Sequence, residues 1–216
     1  MRSILLILAG ALTVLGAHAQ PPVAAPQLGV GDRWVYERYG FTDRPSARVE
    51  FAVVKIDSSA GFYDETETVL EALGPDSRPK GDQQRQQRTL AALTVPIVNT
   101  VSGSFPLIDF PIEAGKTWQY EMTFTASSGF DLVLRGSAKA VGWEDVQVPA
   151  GKFRALKVEH DSTLRGARGP FTANRKILLW YVPELKRWVR YELTQTSNRA
   201  DSQNRFRLEL VSFQLK

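Results

Sequence analysis

Val146-Gln147-Val148-Pro149-Ala150-Gly151-Lys152-Phe153-Arg154-Ala155-Leu156-Lys157-Val158-Glu159 reads as a β-hairpin. Pro149 pre-sets φ for the second position of a type I turn. Gly151 can adopt the positive φ that the residue closing such a hairpin needs. Val146 and Val148 alternate with Gln147 on the way in. Phe153, Leu156 and Val158 supply apolar residues on the way out. The surrounding chain repeats this pattern, so the hairpin is expected at the middle of a large antiparallel sheet.

Upstream lies the cleanest alternation in the protein. Trp118, Tyr120, Met122 and Phe124 fall on one face, and Thr117, Gln119, Glu121 and Thr123 on the other. One face is expected to be buried and one wet. Phe105 to Ile112 is apolar but interrupted by Pro106 and Pro111, which predicts an irregular segment packed on the sheet. Downstream, Ile177 to Val182 is continuously apolar, as in a strand at the sheet centre. In Arg205 to Lys216 the apolar phase flips: Phe206, Leu208 and Leu210 share one parity, Val211, Phe213 and Leu215 the other. Strict alternation cannot do this, so a bulge or a change of packing partner is expected near Leu210.

The N-terminal half gives further strands at Gly31 to Glu37, Ala47 to Asp57 and Phe62 to Leu73. Thr89 to Val98 resumes apolar residues, with Pro96 limiting it to an edge or interrupted strand. Gly31-Asp32-Arg33-Trp34-Val35-Tyr36-Glu37 matches Gly115-Lys116-Thr117-Trp118-Gln119-Tyr120-Glu121 at Gly, Trp, Tyr and Glu. The repeated G-x-x-W-x-Y-E suggests two sub-structures that start alike. Arg78 to Arg88 is polar and Gln-rich, and a flexible loop is expected there. The only helical candidate is Gln83 to Leu93. The fold class is therefore all-β, a curved antiparallel sheet or half-barrel with room for one short covering helix, or for the Phe105 to Ile112 segment.

The first nineteen residues read as a signal peptide: Arg2, the apolar run Ile4 to Leu15, then Ala17-His18-Ala19 as a cleavage site. The apolar run is too short to span a bilayer. Mature protein is expected to start at Gln20, in the periplasm or outside the cell. Residues 20–29 include Pro21-Pro22-Val23-Ala24-Ala25-Pro26 and are expected to form a disordered linker. Residues 30–216 form the single β domain. Removing nineteen residues from 216 leaves 197, enough for a real core. Cys is absent, so that core holds the fold without disulfides, and no lipid-attachment Cys follows the signal.

A resemblance follows from Val148-Pro149-Ala150-Gly151-Lys152-Phe153, Lys157-Val158, Trp180-Tyr181 and Val189-Arg190, joined by Phe110-Pro111 and Gly115-Lys116-x-Trp118. Over roughly Phe105 to Val211 the chain is similar to exported bacterial proteins of unknown function. Their fold resembles the half-barrel of the outer-membrane lipoprotein carrier, which has an apolar concave face. The resemblance implies a Gly-containing tight turn after Trp180-Tyr181, where this chain has Pro183-Glu184-Leu185-Lys186-Arg187.

Several chemistries find no support. His160 is the single histidine of the mature chain, and it reads as a surface residue at a strand end. Glu159 and Asp161 flank it, but strand neighbours point to opposite faces and would not orient its ring. Zinc sites rich in His or Cys, and a catalytic Cys, are excluded. Asp64, Glu65 and Glu67 form an acidic cluster, read as a solvated strand face rather than a paired-carboxylate or calcium site. The charge after signal removal falls from +4 to +3 with the loss of Arg2, and no basic stripe interleaves with aromatics, so nucleic acid is not an expected partner.

What remains is aromatic. Trp34, Tyr36, Trp118, Tyr120, Trp180, Tyr181, Trp188 and Tyr191 sit inside strands, where the same alternation serves a core or a cavity lining. The expectation is a non-enzymatic binding module without a cofactor. An apolar or lipid-like ligand would sit on the concave face against Trp118, Tyr120, Met122, Phe124, Trp34, Tyr36 and Trp180. The alternative is a structural or assembly protein of the cell envelope that binds another protein.

Overall fold

A computed structural model describes residues 21–75, 77–93, 100–126, 129–199 and 203–216. Eleven strands follow one another: β1 (Arg33–Tyr39), β2 (Pro45–Asp57), β3 (Phe62–Ala72), β4 (Gln83–Thr89), β5 (Thr100–Ser104), β6 (Thr117–Thr125), β7 (Asp131–Val148), β8 (Gly151–Gly166), β9 (Thr172–Val182), β10 (Arg187–Ser197) and β11 (Gln203–Gln214). All join one antiparallel sheet in the order β4-β3-β2-β1-β11-β10-β9-β8-β7-β6-β5. Two meanders meet where β1 pairs with β11. The sheet curls but does not close, and β4 and β5 are its edges. The all-β curved sheet expected from the pattern is present.

The hairpin at Val146 to Glu159 forms as read. Val148 pairs with Gly151 across a two-residue turn, and Gly151 has φ of +133°. The phase flip in β11 is a bulge. Val35 pairs with Ser212 and Tyr36 with Leu210, leaving Val211 without a partner on β1. That extra residue returns Leu215 to the side packed against the core. The two G-x-x-W-x-Y-E segments also share a local structure. Gly31 and Gly115 have φ of +96° and +90°, and their N–H groups donate to Val53 O and Ala140 O. Trp34 and Trp118 each bury the ring and donate the indole N–H to a carbonyl, of Leu185 and of Pro106. After Trp180-Tyr181 a 3-10 turn, Pro183–Leu185, replaces a glycine turn, and Lys186 takes the left-handed position at φ +58°.

Four expectations are corrected. Gln83 to Leu93 is not a helix, nor is Arg78 to Arg88 a loop throughout, because Gln83–Thr89 pairs with β3 as an edge strand. An edge strand leaves one side to solvent, so the Gln residues and Arg85 fit there without desolvation. Glu65 is buried, not solvated. The Pro/Ala linker is anchored at Val23, which exchanges two backbone hydrogen bonds with Ile112. The strand expected from Thr89 to Val98 falls partly on residues 94–99, outside the described residues.

The curl is held by a contact across the concave side. Glu65 on β3 accepts hydrogen bonds from Arg88 Nε at 2.8 Å and from Arg187 Nη1 on β10. Three strands, β2, β1 and β11, separate β3 from β10 in the sheet. Laid flat, those spacings would put the two strands ~19 Å apart. The sheet must bend back for the side chains to meet. The Arg187 guanidinium also stacks among Trp34, Phe51 and Trp188, 4.3–4.8 Å from their ring centres. Burial disfavours the Glu65 charge, yet Arg187 and Arg88 hold its pKa below the usual carboxylate value. Tyr36 Oη adds a 2.6 Å bond to Trp188 O.

Three outcomes are expected. Gly151→Val should lose about 1–3 kcal/mol in urea unfolding, because a β-branched residue is strained at positive φ. Glu65→Gln should lose about 3–5 kcal/mol, since it leaves two buried guanidinium groups short of their counter-charge. Glu121→Gln, at a residue paired with the exposed Arg135, should cost less than about 1 kcal/mol. Similar midpoints for the two Glu variants would remove the buried pair as the closing contact.

Candidate functional site

The concave face carries an occupant from its own chain. Phe105, Leu107, Ile108 and Ile112 are all buried on it, between β5 and β6, as the two prolines predicted. Phe105 lies against Tyr120 at 4.7 Å between ring centres. Pro106 O accepts from Trp118 Nε1 at 3.2 Å. Phe110 meets the Tyr181 ring edge-on. Ile108 N donates to Ala92 O in the connection that leaves β4. This plug is apolar in its side chains but needs partners for its irregular backbone.

His160 supplies one of them. It sits mid-strand on β8 and is fully buried, not exposed at a strand end. Nε2 donates to Leu107 O at 3.0 Å, and Nδ1 accepts from Tyr120 Oη at 3.3 Å. A carbonyl only accepts, so this pairing assigns the proton to Nε2. Phe105, Trp118 and Tyr120 surround the ring. Burial pushes the pKa down to about 4, the Leu107 bond opposes this, and the Arg175 charge adds to it. Sequence parity carried this signal: Leu156, Val158, His160 and Leu164 lie in phase on β8.

The residues first considered for ligand contact divide into groups. Trp118, Tyr120 and Met122 are buried on the inner face of β6, and Phe124 packs partly buried against the core. The first two seat the plug. Trp34 and Tyr36 are buried beneath the β9–β10 turn and β10. Trp180 does not join them. It lies on the outer face, where its indole N–H donates to Glu144 at 2.6 Å and Lys157 and Arg190 cover its ring. Alternation explains this, since its neighbours Leu179 and Tyr181 point inward.

Open space lies beside the plug, lined by other residues. An inner chamber of ≈ 240 Å³ is bounded by Leu107, Trp188, Tyr191, Leu208, Arg88 and Arg175, among others. An outer chamber of ≈ 850 Å³ reaches Val69, Leu73 and Phe41 at the end of the groove. Arg38, Val49, Glu67 and Phe206 line both. The Arg38–Glu67 ion pair, 3.8 Å apart, stands at this shared boundary, with Arg38 also over the Phe206 ring. Phe41 and Leu73 are exposed large apolar side chains at the mouth.

No family model matches the chain. No curated protein matches it either. Two crystal structures do. The chain is similar in fold to both. One is a candidate lipoprotein from Parabacteroides distasonis, with TM-score 0.55, 13% identity, 90% of this chain and 100% of that one covered. The other is a candidate exported protein with a YmcC-like fold from Bacteroides fragilis, with TM-score 0.52, 14% identity and the same coverage. At such identity the likeness concerns the fold. Among the described residues no helix is long and apolar enough to cross a membrane.

His160 makes a pH-dependent contribution with a defined sign. Its folded pKa, about 4, lies below the ordinary 6.5. The contribution is fully present above pH 6.5 and is lost as pH falls toward 4, because the unfolded chain takes up the proton first. The loss should reach about 3 kcal/mol. Urea midpoints of wild type and His160→Gln, followed from pH 7.5 to 4, should converge on acidification. Parallel curves would contradict the buried neutral imidazole.

Proposed function

We propose that the chain is a non-enzymatic extracytoplasmic binding module that holds an apolar or lipid-like molecule in the concave groove. The observation that carries this reading is the pair of adjoining chambers beside the plug. The outer one has the volume of a small-molecule site, and both have apolar walls with a few charged groups. The signal features at Arg2, Ile4 to Leu15 and Ala17-His18-Ala19 support export. The fold likeness to a candidate lipoprotein and a candidate exported protein is in keeping with it. His160 supports a non-catalytic role, since both its ring nitrogens are engaged inside the protein.

The ligand would contact Val49, Phe206 and Leu208 rather than the plug seat at Trp118. Apolar burial at about 25 cal/mol per Å² would give a long acyl chain micromolar affinity after association costs. A fluorescent phospholipid analogue should bind saturably, change Trp emission and be displaced by unlabelled lipid. Phe206→Asp should weaken binding at least about five-fold, while Phe213→Asp on exposed surface should not. Absence of saturable binding by the folded protein would remove the carrier reading in favour of an envelope assembly protein.

A further inference from the structure

We propose that the groove selects an anionic single-chain amphiphile, a long-chain carboxylate, whose head group is held by Arg175. This inference rests on the ligand-binding reading above and specifies the chemistry of the ligand.

The argument is a charge balance. Among the described residues, Arg38, Arg44, Arg78, Arg88, Arg175 and Arg205 line the two chambers, and Glu67 is the one carboxylate that does. Arg88 is committed to buried Glu65. Arg38 and Arg78 are committed to Glu67, so the groove's carboxylate is already neutralised and does not repel an incoming anion. Arg44 and Arg205 are exposed at the mouth, where hydration weakens their pull.

Arg175 differs from all of these. It projects from β9 on the inner side, in register with Ser162, and lines the inner chamber. It forms no ion pair among the described residues. Its ring contact is neutral: the guanidinium lies 5.8 Å from the centre of the Phe105 ring. Among the described residues, its buried Nε has no hydrogen-bond partner. A half-buried guanidinium gains most from an acceptor that takes two parallel N–H bonds, which is a carboxylate.

The same geometry directs the tail. From Arg175, an alkyl chain would pass Phe206 and Val49 at the shared boundary, then Val69, and leave over Leu73 and Phe41. Those two side chains are 48% and 64% exposed in the free protein. An alkyl chain lying on them would cover apolar surface that is otherwise wet.

Titration calorimetry with dodecanoate and dodecanol tests the proposal on the full mature chain. The two probes share a tail and differ in head charge. Wild type should bind dodecanoate about ten-fold more tightly than dodecanol. Arg175→Gln should erase that preference by weakening dodecanoate alone, and Arg175→Lys should restore part of it. Equal wild-type affinities for the two probes would overturn the anionic selection and leave the carrier reading standing, with no variant needed to decide it. A preference that survives Arg175→Gln in folded protein would overturn the assignment to Arg175. If neither probe binds, the carrier reading falls together with this one.

Discussion

A buried carboxylate shared by two guanidinium groups sets the curvature of this protein. Glu65, Arg88 and Arg187 would each be costly alone in an apolar interior. Together they place opposite charges in contact, with Trp34, Phe51 and Trp188 closing over Arg187. Because Glu65 and Arg187 come from strands that are not neighbours, the cluster is met only when the sheet has bent. Flattening the sheet would separate the charges without hydrating Arg187 well, given the rings around it. The groove inherits its shape from this closure: Arg88 and Trp188 belong both to the cluster's surroundings and to the chamber wall.

The other end of the concavity is organised on a different principle. There the plug fills the space with Phe105, Leu107, Ile108 and Ile112, and polar ties orient it. The Trp118 indole and the His160 imidazole each reach a plug carbonyl, so the irregular backbone keeps its hydrogen bonds away from water. One half of the concave side is thus occupied by the chain, and the other half is open and lined by arginine. Asp32 closes the base, accepting from Gly29 N, Lys216 N and Lys186 Nζ, which brings both ends of the domain against the β9–β10 turn.

Much of the strand layout could be read from residues close together in the chain. Pro149 and Gly151 specify the hairpin locally, the phase change around Leu210 announces the Val211 bulge, and the prolines flanking Leu107 to Phe110 mark the plug. Face and partner were harder. Glu65 shares parity with Tyr63 and Val69, and His160 shares it with Val158, so alternation alone placed both inward. A charged or polar side chain is read as solvated unless its partner is known. Those partners, Arg187 and Leu107, lie 122 and 53 residues away. The chambers are illegible for the same reason, since their walls are assembled by curvature from β1, β2, β3, β4, β9, β10 and β11. Trp180 is the opposite case: an aromatic residue inside a strand suggests an inward ring, while its parity points out.

The tethered plug also limits what the inner surface of β6 can do. Any molecule drawn to Trp118, Tyr120 and Met122 competes with a segment bound to the same chain. Such a tether acts like a local concentration on the order of millimolar. A dilute ligand is therefore at a disadvantage over β6 and at none in the chambers beside it. Selectivity within the concavity then follows from covalent connection: one side answers to its own sequence, and the other to the solution outside.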